Sequence, residues 1–319
     1  MLSHSYITFL SDFGWKGGYV AACEAVVAAI TPSTRMLHVS HAVELGDIRG
    51  GGLVLARIAP LGPPAVHLVV VDPGVGTRRR AVVVHAARGD YLVGPDNGLM
   101  MPALAALGGA TAAWHINTPS LRTQAGLSAN ELSHTFHARD VFAPAAALLA
   151  TGLAPATFGQ PIDPTSLVHA KEPFLETDGE TTRAEIIEID RFGNVSLALE
   201  LTRSFGEISA RLTVFVEGEA DQGWACRRVN TFGELRPGEL GVLRDSWGHA
   251  CLVLYGASAA ELLGARGGAI MRMVPPADEL AAGPTDVPAD ELAAGPTNGP
   301  PDAASSSPTD RTTSGTEGV

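Results

Sequence analysis

The sequence predicts a protein with two domains, an N-terminal three-layer α/β domain and a smaller C-terminal all-β domain that resembles a barrel. Strand and helix signals alternate through residues 1–160, which is typical of an α/β domain with a largely parallel sheet. Short β-rich runs without a long helix follow over residues 179–275. These two patterns predict the fold class.

A third pattern begins at residue 276. The segment PADELAAGPT occurs at 276–285 and again at 288–297, and Pro, Gly, Ser, Thr and Asp dominate the rest of the chain. Such a composition has too little apolar surface to offset the entropy lost on ordering. Residues 276–319 are therefore predicted to be a disordered acidic tail.

The elements of the α/β domain follow from apolar spacing and from helix-ending residues. Pro32 ends the first helix, Asp47 is a suitable N-cap for the second, and the unbroken apolar run VHLVVVD suits a strand buried on both faces. In chain order we predict a strand over 5–12, a helix over 18–30, a strand over 36–41, a helix over 47–59, a strand over 66–72, a hairpin of strands 81–87 and 91–94, and helices over 99–107 and 140–150.

Residues 161–178 are predicted to be a linker, because Pro, Asp, Thr and Glu replace the apolar pattern there. The β domain is then predicted from six short apolar runs that Gly, Pro and Asn separate. These runs are AEIIEID, NVSLALEL, LTVFVEG, LGVLRD, HACLVLYG and AIMRMV.

The composition is that of a globular protein, with 45% hydrophobic and 18% charged residues. A net charge of −12 argues against a nucleic-acid partner, whose phosphates need Lys and Arg. Residues 276–319 carry eight acidic residues and one arginine, so −7 of this charge lies in the tail and −5 remains in residues 1–275. Three widely spaced cysteines without a CxxC pair predict neither a disulfide framework nor a cysteine zinc site.

Neither a leader peptide nor a membrane span is expected. The start, MLSHSYITFLSDFGW, lacks a basic region followed by a long apolar region. The longest apolar helical stretch, residues 19–30, is too short to span a bilayer and contains Glu24. We therefore expect a cytoplasmic protein with no membrane partner.

Two predicted strands end in an aspartate followed by a glycine-containing loop. Asp12 precedes Phe-Gly, and Asp72 precedes Pro-Gly. Ligands of open α/β sheets bind outside the carboxyl ends of the strands, so both carboxylates could face one crevice. The alternative is that each aspartate only opens a turn.

Arg79 lies seven residues after Asp72, across a loop with two glycines. A loop of this length can fold back and place the guanidinium against the carboxylate, which would hold Asp72 ionised and in place. Of the three arginines at 78–80, at least one is expected to be a solvated surface charge.

Two HxxH pairs, His38 with His41 and His134 with His137, raise the question of a metal site. On a strand, positions i and i+3 point to opposite faces, and neither pair has the Glu of an HExxH motif. We therefore expect no metal. The sequence also lacks a GxSxG elbow and a P-loop, and its glycine run at 50–52 lacks the GxGxxG spacing, so a dinucleotide-binding fold is not supported. We expect no cofactor.

The segment IDRFGN lies between two predicted strands of the β domain. Asp190, Phe192 and Asn194 could supply a carboxylate, a stacking ring and an amide to a heterocycle. The alternative is an ordinary hairpin turn, which Gly-Asn after an apolar strand also favours.

Taken together, the motifs resemble the S-adenosyl-L-methionine (SAM) hydrolases, or SAM hydroxide adenosyltransferases, which are related to the SAM-dependent chlorinases and fluorinases. The resemblance spans about residues 5–275. The motifs that carry it are SDFG (11–14), VDPGVGT-x-RR (71–80), PDNG (95–98), TFHARDVFAPAAA (135–147), DRFGN (190–194) and DSWG (245–248).

The resemblance implies hydrolysis of SAM to adenosine and L-methionine by water or hydroxide that attacks C5′. It places the catalytic set on Asp72, Arg79 and His137, with either Asp72 or His137 as the proton acceptor. It further implies a homotrimer that binds SAM between neighbouring subunits. The substrate-binding residues that it implies are Asp12 for the ribose, Asn194, Phe192 and the backbone near Leu254 and Gly256 for the adenine, and Asp190 and Ser246 for the methionine end.

The sequence departs from the family pattern at Gly17, where many relatives have Asp. It departs from the halogenating branch at Gly46, where that branch has Trp, and at Trp247, where it has Arg. The alternatives to hydrolysis are a SAM-dependent halogenase, a SAM- or nucleoside-binding protein without turnover, and a metal-dependent hydrolase that uses the HxxH pairs. The Asp-Arg-His set favours hydrolysis over halogenation.

Overall fold

The computed structural model describes residues 4–128, 132–201, 210–218 and 222–276. The predicted disordered tail lies, apart from Pro276, outside the described residues. No helix in the described part of the chain is long and apolar enough to cross a membrane.

The first half of the chain forms a seven-stranded sheet with helices on both sides. Its strands are β1 (Tyr6–Ser11), β2 (Arg35–Ser40), β3 (Val66–Val70), β4 (Ala81–Ala86), β5 (Tyr91–Pro95), β6 (Ala110–Ile116) and β7 (Gly159–Ile162). Its helices are α1 (Tyr19–Ile30), α2 (Ile48–Ile58), α3 (Met101–Ala106), α4 (Thr118–Gln124) and α5 (Ala143–Ala150).

The strand order is β2-β1-β3-β5-β4-β6-β7. Strands β2, β1, β3 and β5 are parallel neighbours, whereas β4 and β7 run against the strands beside them. The sheet is thus largely parallel, as predicted, and its parallel half begins at β2. The carboxyl ends of these four parallel strands therefore lie on one edge of the sheet.

Two apolar layers confirm the three-layer arrangement. Ile7 and Phe9 of β1 face a core formed with α1 and α5, whereas Leu10 faces a second core formed with α2 and α3. The alternation follows from the two-residue period of a strand. Helix α2 begins as predicted, because the Asp47 side chain accepts a hydrogen bond from the Gly50 amide at 2.9 Å.

The glycine run inside α2 has a packing role. A Cβ atom at Gly52 would lie 2.9 Å from the carbonyl oxygen of Leu99, and one at Gly51 would lie 3.0 Å from the Leu99 side chain. The helix therefore approaches the segment before α3 more closely than any larger residue would allow.

The second half of the chain is a β-barrel. Its elements are β8 (Leu175–Asp178), β9 (Thr181–Ile189), β10 (Val195–Glu200), β11 (Arg211–Val216), β12 (Trp224–Arg228), β13 (Leu240–Arg244), β14 (His249–Leu254), α6 (Ala259–Leu263) and β15 (Ile270–Val274). The sheet order is β10-β14-β13-β12-β11-β15-β9-β8, and β10 also pairs with β9. That extra pairing closes seven strands into a barrel and leaves β8 at its edge.

Several elements were not anticipated from the sequence. Strand β8 lies within the predicted linker and pairs antiparallel with β9. Strands β6 and β12 were not predicted either; β6 contains three alanines, which are depleted in strands, so its position between β4 and β7 rests on tertiary pairing.

Helix α2 joins the two halves of the chain. Arg49 forms an ion pair with Glu185 of β9 at 2.8 Å, and Arg57 forms one with Glu188 of the same strand. The Arg57 guanidinium also lies over the Trp247 ring, 5.4 Å from its centroid. Two arginines on one face of α2 therefore hold the barrel against the α/β half.

Candidate active site

A cleft of about 500 Å³ lies at the carboxyl edge of the parallel strands. Ser11 at the end of β1 is in register with Val70 at the end of β3, so the residues after both strands meet at this edge. The cleft is lined by Asp12, Phe13, Tyr19, Leu45, Gly46, Val70, Asp72, Pro73, Val75, Thr135, Phe136, His137 and Ala138. Asp12 and Asp72 thus share one crevice, as the strand ends suggested.

Asp72, Arg79 and His137 form a connected set. The Arg79 Nε donates to both carboxylate oxygens of Asp72 at 3.0 Å each, and its Nη2 also donates to Asp72. The same Nη2 donates to His137 Nδ1 at 3.0 Å. The side chains of Asp72 and Arg79 are 6% and 11% exposed, so water screens this ion pair only weakly.

The loop between Asp72 and Arg79 is a compact double turn. The Val75 amide donates to the Asp72 carbonyl at 3.2 Å, and the Thr77 amide and hydroxyl both donate to the Gly74 carbonyl. Gly76 has a φ of +77°, and a Cβ there would lie 2.8 Å from the His134 carbonyl oxygen. The loop therefore packs directly against the segment that carries His137.

The segment that carries His137 is fixed by Asp140. The Asp140 carboxylate accepts from the Ser133 amide at 2.8 Å and from two nitrogens of Arg139 at 2.7 and 2.9 Å. Buried Arg122 donates to the Asp140 carbonyl at 3.2 Å. His137 then directly precedes the π-helical turn Ala138–Phe142, which continues into α5.

The hydrogen bond from Arg79 determines the protonation of His137. A guanidinium only donates, so Nδ1 must accept and the ring is neutral with its proton on Nε2. Burial lowers the pKa of His137, and the charge of Arg79 lowers it further. Nδ1, the single basic lone pair of the neutral ring, is therefore occupied.

Asp12 lines the same cleft and directly follows β1. Its Oδ2 accepts a hydrogen bond from the Gly46 amide at 2.9 Å. Gly46 has a φ of +73°, a conformation that favours glycine. At the position where the halogenating branch has Trp, this chain therefore has a glycine whose backbone amide holds the Asp12 carboxylate.

The sequence did not predict the aromatic wall of the cleft, which Phe13, Tyr19 and Phe136 form. The rings of Phe13, Tyr19 and Phe136 pack against one another with centroid separations of 5.2–6.1 Å. Phe13 and Phe136 lie inside the motifs SDFG and TFHARD, so their motif positions were the only available signal. Such rings can face a cation, and a sulfonium group is a cation.

PDNG is a second motif whose role the sequence did not indicate. Asn97 donates from Nδ2 to the Val71 carbonyl at 2.8 Å, directly before Asp72. Asp96 accepts from Arg80 Nε at 2.7 Å, whereas Arg78 is exposed. The motif therefore supports both ends of the loop that joins Asp72 to Arg79.

The barrel residues named from the sequence do not line this cleft. Asp190 accepts from the Phe192 amide at 2.8 Å and from the Asn194 amide and side chain at 3.0 and 2.8 Å. It thus closes the hairpin turn, the alternative that the sequence left open. Phe192 is 71% exposed at the tip of this turn.

The remaining three positions lie on nearby turns of the barrel. Ser246 is exposed after β13, Leu254 ends β14 in a buried position, and Gly256 follows it in an exposed turn with a φ of +83°. Among the described residues, those that line the cleft all belong to the α/β half. One chain therefore brings together Asp12, Asp72, Arg79 and His137 but not the barrel residues.

One of the two HxxH pairs differs from the expectation. His38 and His41 do meet, with Nδ1 of His38 and Nε2 of His41 2.7 Å apart. The prediction that they face opposite sides was wrong because β2 ends at Ser40, so His41 is no longer on the strand. Within the described ranges, no group of three or more His, Cys, Asp or Glu residues is arranged to hold a metal ion.

Both domains of the chain match one protein family. Residues 7–159 match the SAM hydroxide adenosyltransferase N-terminal domain, and residues 184–272 match the C-terminal domain of the same family. A protein of Salinispora tropica named (R)-S-adenosyl-L-methionine hydrolase is 42% identical over 268 residues, which cover 84% of this chain and 97% of that protein.

A solved structure and a more distant relative are also similar to this chain. A crystal structure of a conserved protein from Thermotoga maritima superposes with a TM-score of 0.73 at 31% identity and covers 84% of this chain and 99% of that one. A protein of Nocardia brasiliensis named fluorinase is 24% identical over 215 residues, 59% of this chain and 69% of that protein. The two domain matches and the identity to the hydrolase lead to one conclusion: the chain belongs to the SAM hydroxide adenosyltransferase family.

Proposed function

We propose that this protein hydrolyses SAM to adenosine and L-methionine at the cleft that Asp12 and Asp72 share. The observation that carries the proposal is the connected set of Asp72, Arg79 and His137 at the carboxyl edge of the sheet. The hydrolase of Salinispora tropica, at 42% identity, supports the same substrate and reaction.

The reaction needs an activated nucleophile more than an activated leaving group. Water attacks C5′, the bond from C5′ to sulfur breaks, and both bonding electrons leave with sulfur. The sulfonium thereby becomes the neutral thioether of methionine and requires no proton. The proton that the water loses must go to a nearby base, and alignment of the water with the C5′–S bond supplies much of the remaining acceleration.

The geometry supports Asp72 rather than His137 as the proton acceptor. Nδ1 of His137 is occupied by Arg79, whereas each carboxylate oxygen of Asp72 has lone pairs beyond those that Arg79 uses. Arg79 would hold Asp72 in place and stabilise hydroxide character. His137 would orient Arg79 through Nδ1 and present its Nε2 proton.

We assign the remaining residues to substrate binding. Asp12 would accept hydrogen bonds from the ribose hydroxyls. Asn194, Phe192 and the backbone near Leu254 and Gly256 would bind the adenine of a substrate, and Asp190 and Ser246 would lie near its methionine end. Asp190 would act mainly by holding Asn194 and the Phe192 turn in shape.

We also propose that no metal or other cofactor takes part. A sulfonium departs as a neutral group, so a Lewis acid would have no developing charge on the leaving group to stabilise. Activity that persists in EDTA at the wild-type rate would support this proposal, and activity lost in EDTA and restored by a divalent metal would contradict it.

The position of the barrel residues supports a homotrimer whose sites lie between subunits. The cleft is lined from the α/β half alone, while Phe192 and Trp247 of the barrel are 71% and 43% exposed. A neighbouring copy could place its barrel turns over the cleft and complete the site, with Asp12 and Asp72 from one subunit and Asn194 from the next.

Complementation between inactive variants tests this arrangement. The variants Asp72→Asn and Asn194→Ala would be inactive or strongly impaired alone. Co-expressed, they would form mixed trimers in which some sites have both an intact Asp72 and an intact Asn194, so activity would return. If each site lies within one subunit, the mixture would show no more activity than the two variants separately.

The function itself is tested by product analysis. Purified protein is incubated with SAM in EDTA, with and without chloride, and the products are separated by chromatography. Equal amounts of adenosine and methionine, independent of chloride, are expected. Chloride-dependent 5′-chloro-5′-deoxyadenosine would indicate a halogenase, and unchanged SAM that binds by calorimetry would indicate a binding protein.

A further inference from the structure

A hydrogen-bonded row of four side chains leads from the outer surface of α1 to the strand end beside Asp12. Glu24 Oε1 lies 2.9 Å from His38 Nε2. His38 Nδ1 lies 2.7 Å from His41 Nε2, and His41 Nδ1 lies 2.7 Å from the Ser11 hydroxyl. The catalytic set proposed above makes no use of this row.

The direction of the row follows from the chemistry of its outer end. The Glu24 carboxylate only accepts, so His38 Nε2 donates to it. With each ring in its neutral form, which has one donor and one acceptor, His38 Nδ1 accepts from His41 Nε2 and His41 Nδ1 accepts from the Ser11 hydroxyl. One carboxylate therefore sets the tautomers of two histidines and the orientation of a buried hydroxyl.

The inner histidine is held neutral by its surroundings. His41 is 1% exposed and lies between the rings of Phe9 and Trp15, at centroid distances of 4.6 and 4.7 Å. Burial and the neighbouring His38 lower the pKa of His41 to about 4. All four ring nitrogens of His38 and His41 have protein partners, which suits orientation and not metal binding.

The row ends on the loop that carries Asp12. Besides the Ser11 contact, the His41 carbonyl accepts from the Gly14 amide at 2.7 Å. The Ser11 oxygen in turn accepts from the Phe13 amide at 3.4 Å. Residues 11–14 are thus tied to His41 on both sides of Asp12, through its ring at Ser11 and through its backbone carbonyl at Gly14.

We propose that Glu24 is a positioning residue for substrate binding, which acts through His38 and His41 on Ser11 and so holds the Asp12 carboxylate towards the cleft. The inference rests on the proposed function only in that Asp12 binds the ribose. Glu24 itself lies on α1 and does not line the cleft.

Three variants test this role. Glu24→Ala should raise KM for SAM about fivefold, the size expected from one lost hydrogen bond, with kcat close to the wild-type value. Glu24→Gln should restore KM, because its amide oxygen can accept the same bond from His38. Glu44→Ala is the matched control: Glu44 is exposed two residues before Gly46, so its loss removes the same charge near the cleft and should leave KM unchanged.

A second readout does not depend on turnover. Nitrogen-15 NMR of labelled histidines should give the Nε2–H tautomer for His41 in the wild type and in Glu24→Gln, and a mixture of tautomers in Glu24→Ala. Among the wild type, Glu24→Gln and Glu24→Ala, only Glu24→Ala should bind adenosine more weakly in calorimetry. This arm remains decisive even if the wild-type protein does not hydrolyse SAM.

Other results would contradict this role of Glu24. An unchanged His41 tautomer with unchanged adenosine affinity in Glu24→Ala would overturn the proposal. A fall in kcat at constant KM would also overturn it, as would an equal loss of affinity in Glu44→Ala. A lower unfolding temperature of Glu24→Ala without a change of affinity would reduce Glu24 to a stabilising surface contact.

Discussion

Among the single residues of the candidate site, Arg79 is the one that connects the others. Its guanidinium contacts Asp72 and His137 at once and lies over the Phe142 ring, 5.1 Å from the centroid. Because Asp72 is only 6% exposed, loss of Arg79 would leave a buried carboxylate without its ion-pair partner. Substitutions at the three positions therefore have different expected effects.

Replacement of Asp72 by Asn should abolish most turnover while adenosine still binds. The amide keeps the shape of the carboxylate but cannot accept the proton of the attacking water, so kcat should fall about a thousandfold. Kinetics with SAM and calorimetry with adenosine measure the two effects. A rate near that of the wild type would rule out Asp72 as the base. The variant Asp12→Ala, by contrast, should mainly weaken substrate binding.

Replacement of His137 by Ala should lower kcat about tenfold to a hundredfold, the effect of a lost hydrogen bond to a charged group. His137→Asn places an amide oxygen near the former Nδ1 position and should recover part of the rate, because Arg79 again has an acceptor. If both variants lose as much activity as Asp72→Asn, His137 is itself the base.

The pH dependence of hydrolysis should reflect the lowered pKa of His137. Protonation of Nδ1 would break its contact with Arg79, so the active form is the neutral ring. Since burial and Arg79 lower this pKa below 6.5, the acidic limb of kcat/KM should lie below pH 6.5. A limb at or above pH 6.5 would contradict this assignment.

At the level of elements, glycines determine how closely the loops approach. Gly76→Ala should destabilise the protein and lower turnover, because a Cβ at φ +77° would also meet the His134 carbonyl at 2.8 Å. We expect a loss of about 1–3 kcal/mol in the free energy of unfolding. Denaturant unfolding of the variant measures it.

Gly179→Ala is the matched control for that variant. Gly179 has a φ of +56° but no atom within 4 Å of the Cβ position, so it carries the backbone strain without the collision. It should cost less stability than Gly76→Ala and leave turnover unchanged. Equal effects would mean that the contact with His134 is unimportant.

The elements also show what could be predicted from sequence. The Asp72–Arg79 pair followed from one strand end and one loop length, both local features. His137 joined the set only through the family resemblance, because the packing of α5 and the Asp140 network bring it to Arg79. The aromatic wall has no spacing rule of its own, and the contact of His38 with His41 depended on a strand that ends one residue early.

At the level of the whole molecule, residues after 276 should be dispensable for catalysis. The second family domain ends at residue 272, and the cleft is lined by residues up to Ala138. A protein that ends at Pro276 should hydrolyse SAM at the wild-type rate. A large loss in that truncated protein would contradict the expectation.

Acid should destabilise the fold in a specific pH range. The pKa of buried His41 falls from 6.5 to about 4, so below pH 6.5 the unfolded chain binds a proton that the folded one excludes. Its contribution is fully present above pH 6.5 and lost towards pH 4, at most about 3 kcal/mol. Unfolding temperatures between pH 7 and pH 4.5 measure it, and His41→Asn should flatten the slope.

The pairing of Asp72 with Arg79 also governs the charge balance over one catalytic cycle. Because the two charges cancel and His137 is neutral, Asp12 is the uncompensated acid among these four side chains. A sulfonium that enters the cleft balances it. After the bond breaks, the positive charge that the substrate brought remains as the proton on Asp72, and Asp12 faces only neutral nucleoside and thioether. Release of the products is thereby favoured by the reaction itself, and analogues that keep a positive charge should inhibit more strongly than neutral ones of the same shape.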